Sequence, residues 1–252
     1  MRRRVLLFGA SGRIGSSILQ LVPECEAVGA TAEGVDVAAL VGAGPCAVVL
    51  AVPAAAARVL LAKLEALQGR DVLVLDCSGV AKQREDHLYN TVPAGPEARV
   101  RIVGNPGCIA SAVLDGLREL PVDRAAPLSV VATGDRSYAP EGQCGEMRSG
   151  RRWLSHPHVR EIELHSGCRV ACFVPVICYA MEATGLLVVV AGRLSEPRPS
   201  DPEEAVDAAS VAGTARLARR LEVGPELGFT LTVVIDNVVR VAWHAANLIR
   251  QF

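Results

Sequence analysis

The sequence predicts an α/β fold of the Rossmann type, a doubly wound parallel sheet with helices on both faces. Short apolar runs alternate with stretches of helical periodicity along the first half of the chain. Strands that are apolar along their whole length are typical of parallel sheets, because both faces of such sheets are buried. A glycine-rich loop also separates the first apolar run from the first helical stretch. With 252 residues, 50% of them hydrophobic, the chain can bury a large core.

Charge and hydropathy argue against several classes of protein. The 26 basic residues are balanced by 27 acidic ones, which gives no electrostatic basis for binding nucleic acid or an anionic membrane. No apolar run reaches the roughly 18 residues that a membrane-spanning helix needs. The first run, Val5 to Phe8, is too short for the core of a signal peptide. We therefore expect a cytoplasmic protein.

Eight cysteines are distributed along the chain, and none forms a Cys-x-x-Cys pair. In a reducing compartment most of them are expected to be small core residues rather than disulfide partners. Their spacing lacks the second ligand pair of a zinc finger, so the sequence predicts no metal site.

The first strand runs to Phe8 and is followed by GASGRIG, residues 9–15, and then by a helix that ends near Pro23. Glycines between a strand and a helix are the context of a phosphate-binding loop. The glycine at 9 permits the tight turn, that at 12 lets the backbone approach a pyrophosphate, and that at 15 lets the helix pack close to the strand. The predicted cofactor-binding residues of this loop are Gly9, Ser11, Gly12, Arg13, Ile14 and Gly15.

The second strand, near Ala27 to Ala30, predicts which dinucleotide binds. It ends in Gly-Ala-Thr, where an NAD enzyme carries an acid for the ribose hydroxyls, and Glu33 lies slightly late for that role. An uncharged strand end beside Arg13 suits the 2′-phosphate of NADP. We therefore expect NADP as the cofactor.

Further apolar runs predict strands at 47–53, 72–78 and 100–103, and the last of them leads into GNPGCIAS, residues 104–111. Cys108 then follows the carboxyl end of a strand, at the edge where open α/β sheets bind ligands. A thiol in the first turn of a helix faces unpaired N–H groups and the positive end of the helix dipole, which favour the thiolate. The pattern predicts a nucleophile; the alternative is a small buried cysteine after an ordinary loop.

The motifs GASGRIG, LAVP, LDCSG and NPGC, in this order, resemble the N-acetyl-γ-glutamyl-phosphate reductase branch of the aspartate-semialdehyde dehydrogenase-like family. The segments HPHVREI at 156–162, FVP at 173–175 and DNVVR at 236–240 are similar to later segments of that branch. The resemblance implies a dinucleotide-binding domain at 1–124, completed by a helix at 236–252. It also implies a second, α+β domain at 125–235, which serves catalysis and dimerisation.

The function implied by this resemblance is NADPH-dependent reduction of an acyl phosphate, similar to N-acetylglutamyl phosphate, to a semialdehyde in amino-acid biosynthesis. Cys108 would form a thioester, and His158, or else His156, would be the acid and base. Alternation around Pro157 would place both histidines on one face of an extended segment. Ser78 and Asn237 would bind the cofactor, and the substrate would be held by Asn105, Glu161 and Arg151. The small-molecule substrate would be the acyl phosphate or semialdehyde, and the second-domain sheet implies a homo-oligomer.

Two other functions stay open. GASGRIG also resembles the loop of dihydrodipicolinate reductase, which needs no cysteine nucleophile, although the Lys-x-x-x-Pro-Ser-Gly-Thr signature of that family is absent. A non-catalytic regulator that senses NADP would need neither Cys108 nor the histidine pair. The substrate-side segment 134–152 matches the reductase branch poorly.

A further helix is predicted from Glu203 to Leu221, after a proline-punctuated loop.

Overall fold

The computed structural model describes residues 4–67, 70–83, 100–135, 154, 156–178, 185–201 and 211–251. Among these residues no helix is both long and apolar enough to cross a membrane. The chain divides into two units, the first made of Met1–Gly107 with Val241–Phe252 and the second of Cys108–Arg240. The sequence-based boundaries were 124/125 and 235/236. The helix that begins at Cys108 packs on the second sheet, which is why the first boundary of the structure lies earlier.

The ten strands and six helices of the described residues are numbered in chain order. The strands are β1 (Arg4–Phe8), β2 (Glu26–Val28), β3 (Cys46–Leu50), β4 (Val72–Asp76), β5 (Val100–Gly104), β6 (Leu128–Asp135), β7 (Val170–Cys178), β8 (Gly185–Arg193), β9 (Leu217–Val223) and β10 (Gly228–Asp236). The helices are α1 (Arg13–Leu21), α2 (Val37–Val41), α3 (Ala54–Glu65), α4 (Cys108–Leu117), α5 (Pro157–Ser166) and α6 (Asn237–Gln251).

The first unit contains the predicted parallel sheet, with strand order β2-β1-β3-β4-β5. Every residue of β3 and β4 is buried, as continuous apolar strands require when helices cover both faces. On one face the core includes residues of α1 and of the last turns of α6, and on the other residues of α2 and α3. The doubly wound fold is thereby confirmed, and its chain order reverses between β1 and β3.

The second unit contains a mixed sheet with strand order β7-β6-β8-β10-β9. β6 and β7 are parallel, and the other neighbours are antiparallel. Two adjacent parallel strands need a crossover connection, which contains α5. The core of this unit lies between the sheet and the helices α4 and α5. The expected α+β second domain is confirmed.

The predicted helix from Glu203 to Leu221 is wrong over its last residues, since Leu217–Val223 is the edge strand β9. Residues 202–210 lie outside the described part of the chain. Ser200 and Asp201 were expected to cap that helix. Instead, Asp201 accepts a hydrogen bond from Leu221 N (2.8 Å) and Ser200 Oγ accepts one from Val223 N (2.8 Å). Pairing with β10 decides the conformation of this segment, because its local sequence is compatible with either structure.

Candidate active site

The glycine loop follows β1 at the point where the strand order reverses, which is where open α/β sheets bind ligands. Gly9 has φ +82°, and a Cβ there would lie 2.2 Å from the carbonyl oxygen of Ala51 in the loop after β3. A Cβ on Gly15 would lie 2.1 Å from the oxygen of Gly9. Gly9 thus makes the predicted tight turn, while Gly15 permits close packing of α1 on the loop itself.

Gly12 is the N-cap of α1 and has no side chain to satisfy the first N–H groups of the helix. The first intrahelical bond runs from Ser16 N to Gly12 O (2.8 Å), so the N–H groups of the preceding turn have no acceptor within the helix. A Cβ on Gly12 would be 3.3 Å from Gly9 O, which is tight but not prohibitive. Ser11 and Arg13 are exposed beside this turn. The loop therefore offers N–H donors and a helix dipole to an anionic group.

Ser78 lies in the turn after β4, at the same edge of the sheet. Its hydroxyl donates to Asp76 Oδ1 and accepts from Val80 N (3.3 Å), while Ser78 N donates to the same carboxylate (2.8 Å). Ala81 N donates to Asp76 Oδ2 (2.7 Å), and Asp76 is fully buried. The Ser78 hydroxyl is thus used inside the turn, which leaves its remaining lone pair and the turn backbone for a ligand.

Asn105, a predicted substrate residue, is 1% exposed. Its main-chain N–H donates to Asp76 O (2.8 Å), and its Nδ2 donates to Val241 O of α6 (2.9 Å). Its Oδ1 has no hydrogen-bond partner among the described residues. In this structure the side chain joins β5 to α6 within the first unit and does not face solvent.

Cys108 is the first residue of α4, so the predicted helix start is confirmed. The thiol is half-buried and packs against the core of the second unit. Seven of the ten residues of α4 are buried, which fixes the helix and therefore the position of its first turn. One turn later, Ser111 is 1% exposed and its hydroxyl has no partner among the described residues.

The two histidines lie at the start of α5 rather than in the extended segment that the alternation predicted. Pro157 occupies the first turn, where its fixed φ and missing N–H favour a helix start. His156 is the N-cap: its Nδ1 accepts from His158 N (3.2 Å), and its ring stacks on Phe173 with centroids 5.5 Å apart. The two imidazole rings are in edge contact with centroids 4.7 Å apart.

Glu161 follows His158 by three residues, so the two side chains lie on one face of α5. It is 1% exposed, whereas His158 is half-buried. A buried carboxyl group one turn from an imidazole is suited to orient that ring.

Helices α4 and α5 pack against each other, and residues of both belong to one core cluster. The last turns of both helices, with Leu117 and His165, line a single cavity of about 360 Å³. The C-terminal ends of the two helices therefore lie close together.

Three other described cysteines have thiols whose pKa is raised by burial. Burial raises the pKa of Cys25 and of Cys46 to about 11. Burial, reinforced by the adjacent Asp76 carboxylate, raises the pKa of Cys77 to about 12. These three thiols stay protonated at neutral pH, which makes them poor nucleophiles.

Asn237, a predicted cofactor residue, is the first residue of α6 and belongs to the second unit. The preceding Asp236 caps the helix, because its Oδ1 accepts from Val238 N (3.0 Å) and Val239 N (2.9 Å). Arg240, one turn later, forms an ion pair with Asp115 of α4 (2.6 Å), and both side chains are about one-tenth exposed. The start of α6 is therefore tied to the helix of Cys108.

Arg151, the remaining predicted substrate residue, lies outside the described residues.

Two carboxylates that organise these elements, Asp76 and Asp236, were missed as organising residues by the sequence analysis. Each directly follows a run of apolar strand residues and precedes a turn or a helix. Asp in that position is a signal for a turn or a helix cap, which could have identified both.

The chain resembles solved structures over nearly its whole length. A probable aspartate-semialdehyde dehydrogenase from Pseudomonas aeruginosa matches with a TM-score of 0.73 and 15% identity, covering 100% of this chain and 98% of that one. Aspartate semialdehyde dehydrogenase II from Vibrio cholerae, complexed with ASA, gives a TM-score of 0.72 and 14% identity, covering 99% and 98%. Another structure of the Vibrio cholerae protein gives a TM-score of 0.66 and 15% identity, covering 98% of each chain.

No family model and no curated protein sequence matches the chain. At 14 and 15% identity, what the structural likeness shows is the fold. The chain has the fold of the aspartate-semialdehyde dehydrogenases, a doubly wound parallel sheet followed by a second, mixed sheet.

Proposed function

We propose that this chain is an NADPH-dependent reductase that converts an acyl phosphate, similar to N-acetylglutamyl phosphate, into the semialdehyde. The observation that carries the proposal is Cys108 at the first turn of a buried helix that packs against α5, the helix that starts at His156 and His158. A thiol at a helix N-terminus beside an imidazole is a common way to activate a cysteine nucleophile. The dehydrogenase fold of the structural neighbours agrees with this chemistry.

The residues of the first unit fit a dinucleotide. Side chains at Gly9 and Gly15 would fill the loop, and the first-turn N–H groups of α1 can bind the pyrophosphate. Arg13 would meet the 2′-phosphate, and Ser78 would contribute a further contact. Asn237, which belongs to the second unit, stays a predicted cofactor residue. When bound, NADPH supplies a hydride to the carbonyl carbon.

Cys108 performs the covalent step. Its thiolate attacks the acyl carbon, a C–S bond forms, and the C–O bond to phosphate breaks so that inorganic phosphate leaves. Cys108 would hold the acyl group as a thioester while its carbonyl carbon is reduced, and would then hold the resulting hemithioacetal. Cleavage of the C–S bond then releases the semialdehyde and restores the thiolate.

His158 holds the proton for this sequence. An imidazole changes charge near neutral pH, so it can take the proton of the thiol and protonate the hemithioacetal oxygen as charge develops. It then takes the hydroxyl proton back when the C–S bond breaks and the aldehyde carbonyl forms. Glu161, on the same face of α5, orients the ring. His156 acts through the helix instead, because its Nδ1 accepts the His158 main-chain N–H. An arginine of the 148–152 segment, with Arg151 as the candidate, would bind the anionic part of the substrate.

The assay that tests the proposal runs the reaction in reverse, with NADP, phosphate and a panel of aldehydes that includes N-acetylglutamate semialdehyde and aspartate semialdehyde. We expect phosphate-dependent formation of NADPH with one of them. In separate titrations by fluorescence quenching, NADPH should bind more tightly than NADH, because no acid ends the second strand.

Cys108→Ser is the decisive variant. It should abolish the reaction while leaving NADPH affinity nearly unchanged, because the thiolate serves chemistry and not nucleotide binding. Cys25→Ser is the matched control, since that thiol is buried with its pKa raised to about 11. A folded Cys108→Ser protein that retains the parental rate would favour a reductase without a covalent intermediate.

A further inference from the structure

A lysine of α3 holds the chain segment that follows β2. The Lys63 ammonium donates to the carbonyl oxygens of Ala32 (2.9 Å), Glu33 (2.7 Å) and Val35 (3.0 Å). An ammonium has three N–H donors, and here each of them binds one of three carbonyl oxygens within the four-residue stretch 32–35. The three acceptors precede Lys63 by 28 to 31 positions in the sequence, which makes this a tertiary clamp.

Besides the Lys63 bonds, the segment 29–36 is held by the burial of Ala32 and Val35 in the core and by Asp36, which caps α2. β2 has three residues and lies at the edge of the sheet, with β1 as its one neighbour. Within the segment, Thr31 closes a turn by accepting from Gly34 N at its side chain (3.2 Å) and from Val35 N at its carbonyl (3.1 Å). Ala32 and Val35 are buried and the other residues of the segment are exposed.

The position of this segment gives the clamp a consequence for ligand binding. In dinucleotide-binding sheets, residues that follow the second strand contact the adenosine ribose, and here that strand is next to the strand of the glycine loop. The same segment, with Gly29, Ala30 and Gly34, lines a cavity of about 490 Å³ beside β2. We infer that Lys63 is a positioning residue for dinucleotide binding, holding segment 29–36 in the conformation that receives the adenosine half.

This inference rests on the proposed cofactor, and it adds that Lys63 holds segment 29–36 in place before the cofactor binds. Without the clamp, the segment must be ordered when the nucleotide binds, and the affinity falls by the fraction of molecules in the competent conformation. The lost affinity comes from contacts between segment 29–36 and the adenosine half of the cofactor. It should therefore appear in the KM for NADPH rather than in kcat.

Arg70 provides a matched control. Its Nη1 donates to Ala38 O (2.6 Å) and Gly42 O (2.7 Å), so it is also a basic side chain that binds main-chain carbonyls of the same region. These acceptors belong to α2 and its C-cap rather than to segment 29–36. Arg70→Met removes comparable hydrogen bonds without releasing the segment.

The experiment compares Lys63→Met, Lys63→Arg and Arg70→Met with the unmodified chain. Calorimetric titration with NADPH and with 2′,5′-ADP, which carries only the adenosine half, gives the affinities. Thermal unfolding reports stability, and Lys63→Gln replaces Lys63→Met if the latter does not fold. We expect Lys63→Met to bind both ligands about tenfold more weakly, Lys63→Arg to recover part of the loss, and Arg70→Met to bind normally.

Unchanged affinity in Lys63→Met, or an equal loss in Arg70→Met, would overturn the inference while leaving the proposed function in place. If the unmodified chain bound neither NADPH nor 2′,5′-ADP, the proposed cofactor would be wrong and the role of Lys63 would fall with it. A loss for NADPH without a loss for 2′,5′-ADP would also contradict the assignment to the adenosine half.

Discussion

His156 and His158 lie two residues apart, yet the fold places them in different positions of α5. His156 precedes the helix and accepts the main-chain N–H of His158, so its Nδ1 is not protonated in this arrangement. His158 lies inside the first turn of the helix, on the face that also carries Glu161. The sequence alone left the choice between them open, because it did not show where the helix begins.

Replacing each histidine by asparagine separates the two roles. His158→Asn should lower kcat by about 10²-fold to 10⁴-fold, since it removes an acid and base near neutral pH. His156→Asn should leave kcat close to the parental value, because asparagine is itself a good N-cap.

The control for the capping role is His156→Ala, which should destabilise the protein by about 1 kcal/mol in chemical denaturation. Steady-state kinetics and denaturation curves on all three variants make the comparison. Equal losses of kcat in His156→Asn and His158→Asn would contradict the assignment.

At the scale of elements, the glycine loop shows that two glycines in one motif are required for different reasons. Gly15 is required by the fold, because a Cβ there would lie 2.1 Å from a loop carbonyl oxygen. Gly12 has room for a Cβ in the chain itself, where the nearest atom would be 3.3 Å away. Glycine is expected at position 12 because a side chain there would keep the pyrophosphate of the ligand away from the backbone.

Alanine at each position should distinguish a fold requirement from a ligand requirement. Gly15→Ala should lower the free energy of unfolding by about 1–3 kcal/mol, as overpacking does, and should also weaken NADPH binding. Gly12→Ala should weaken NADPH binding with little change in stability, because it blocks the backbone approach to the pyrophosphate.

Gly44→Ala is the neutral control, since nothing lies within 4 Å of its Cβ position. Fluorescence titration and thermal unfolding measure the two effects separately. Parental NADPH affinity in Gly12→Ala would rule out the pyrophosphate contact at this residue.

At the scale of the whole molecule, the sheet of the second unit has exposed apolar residues on its outer face. Val131 of β6 is 40% exposed and Leu187 of β8 is 39% exposed, and Val131 pairs with Val189 of β8 in the sheet. Core residues fill the opposite face, against α4 and α5. An exposed apolar patch on the sheet face opposite the core is typical of an interface, and we propose that a second copy of the chain covers it.

Charges on this face should therefore shift the protein toward the monomer. The double variant Val131→Glu with Leu187→Glu would place buried, unpaired carboxylates in the interface, which is strongly unfavourable. Sedimentation analysis at micromolar concentration should show a dimer for the unmodified chain and a monomer for the variant. Leu164→Glu, at a 54% exposed leucine of α5, is the control that should stay dimeric. A monomeric unmodified chain would contradict the proposal.

The sequence by itself determined the parallel sheet, the glycine loop after β1 and the start of α4 at Cys108. These features are encoded locally, by continuous apolar runs, by glycines at fixed spacing and by a Pro-Gly pair before a helix. The tertiary structure decided the features that depend on contacts between distant residues. Leu217–Val223 is a strand because β10 pairs with it, and the helices that start at Cys108 and at His156 belong to one core because α4 and α5 pack against each other. Pairing and packing energies belong to neighbours that no local window of sequence contains, so only the folded chain could decide them.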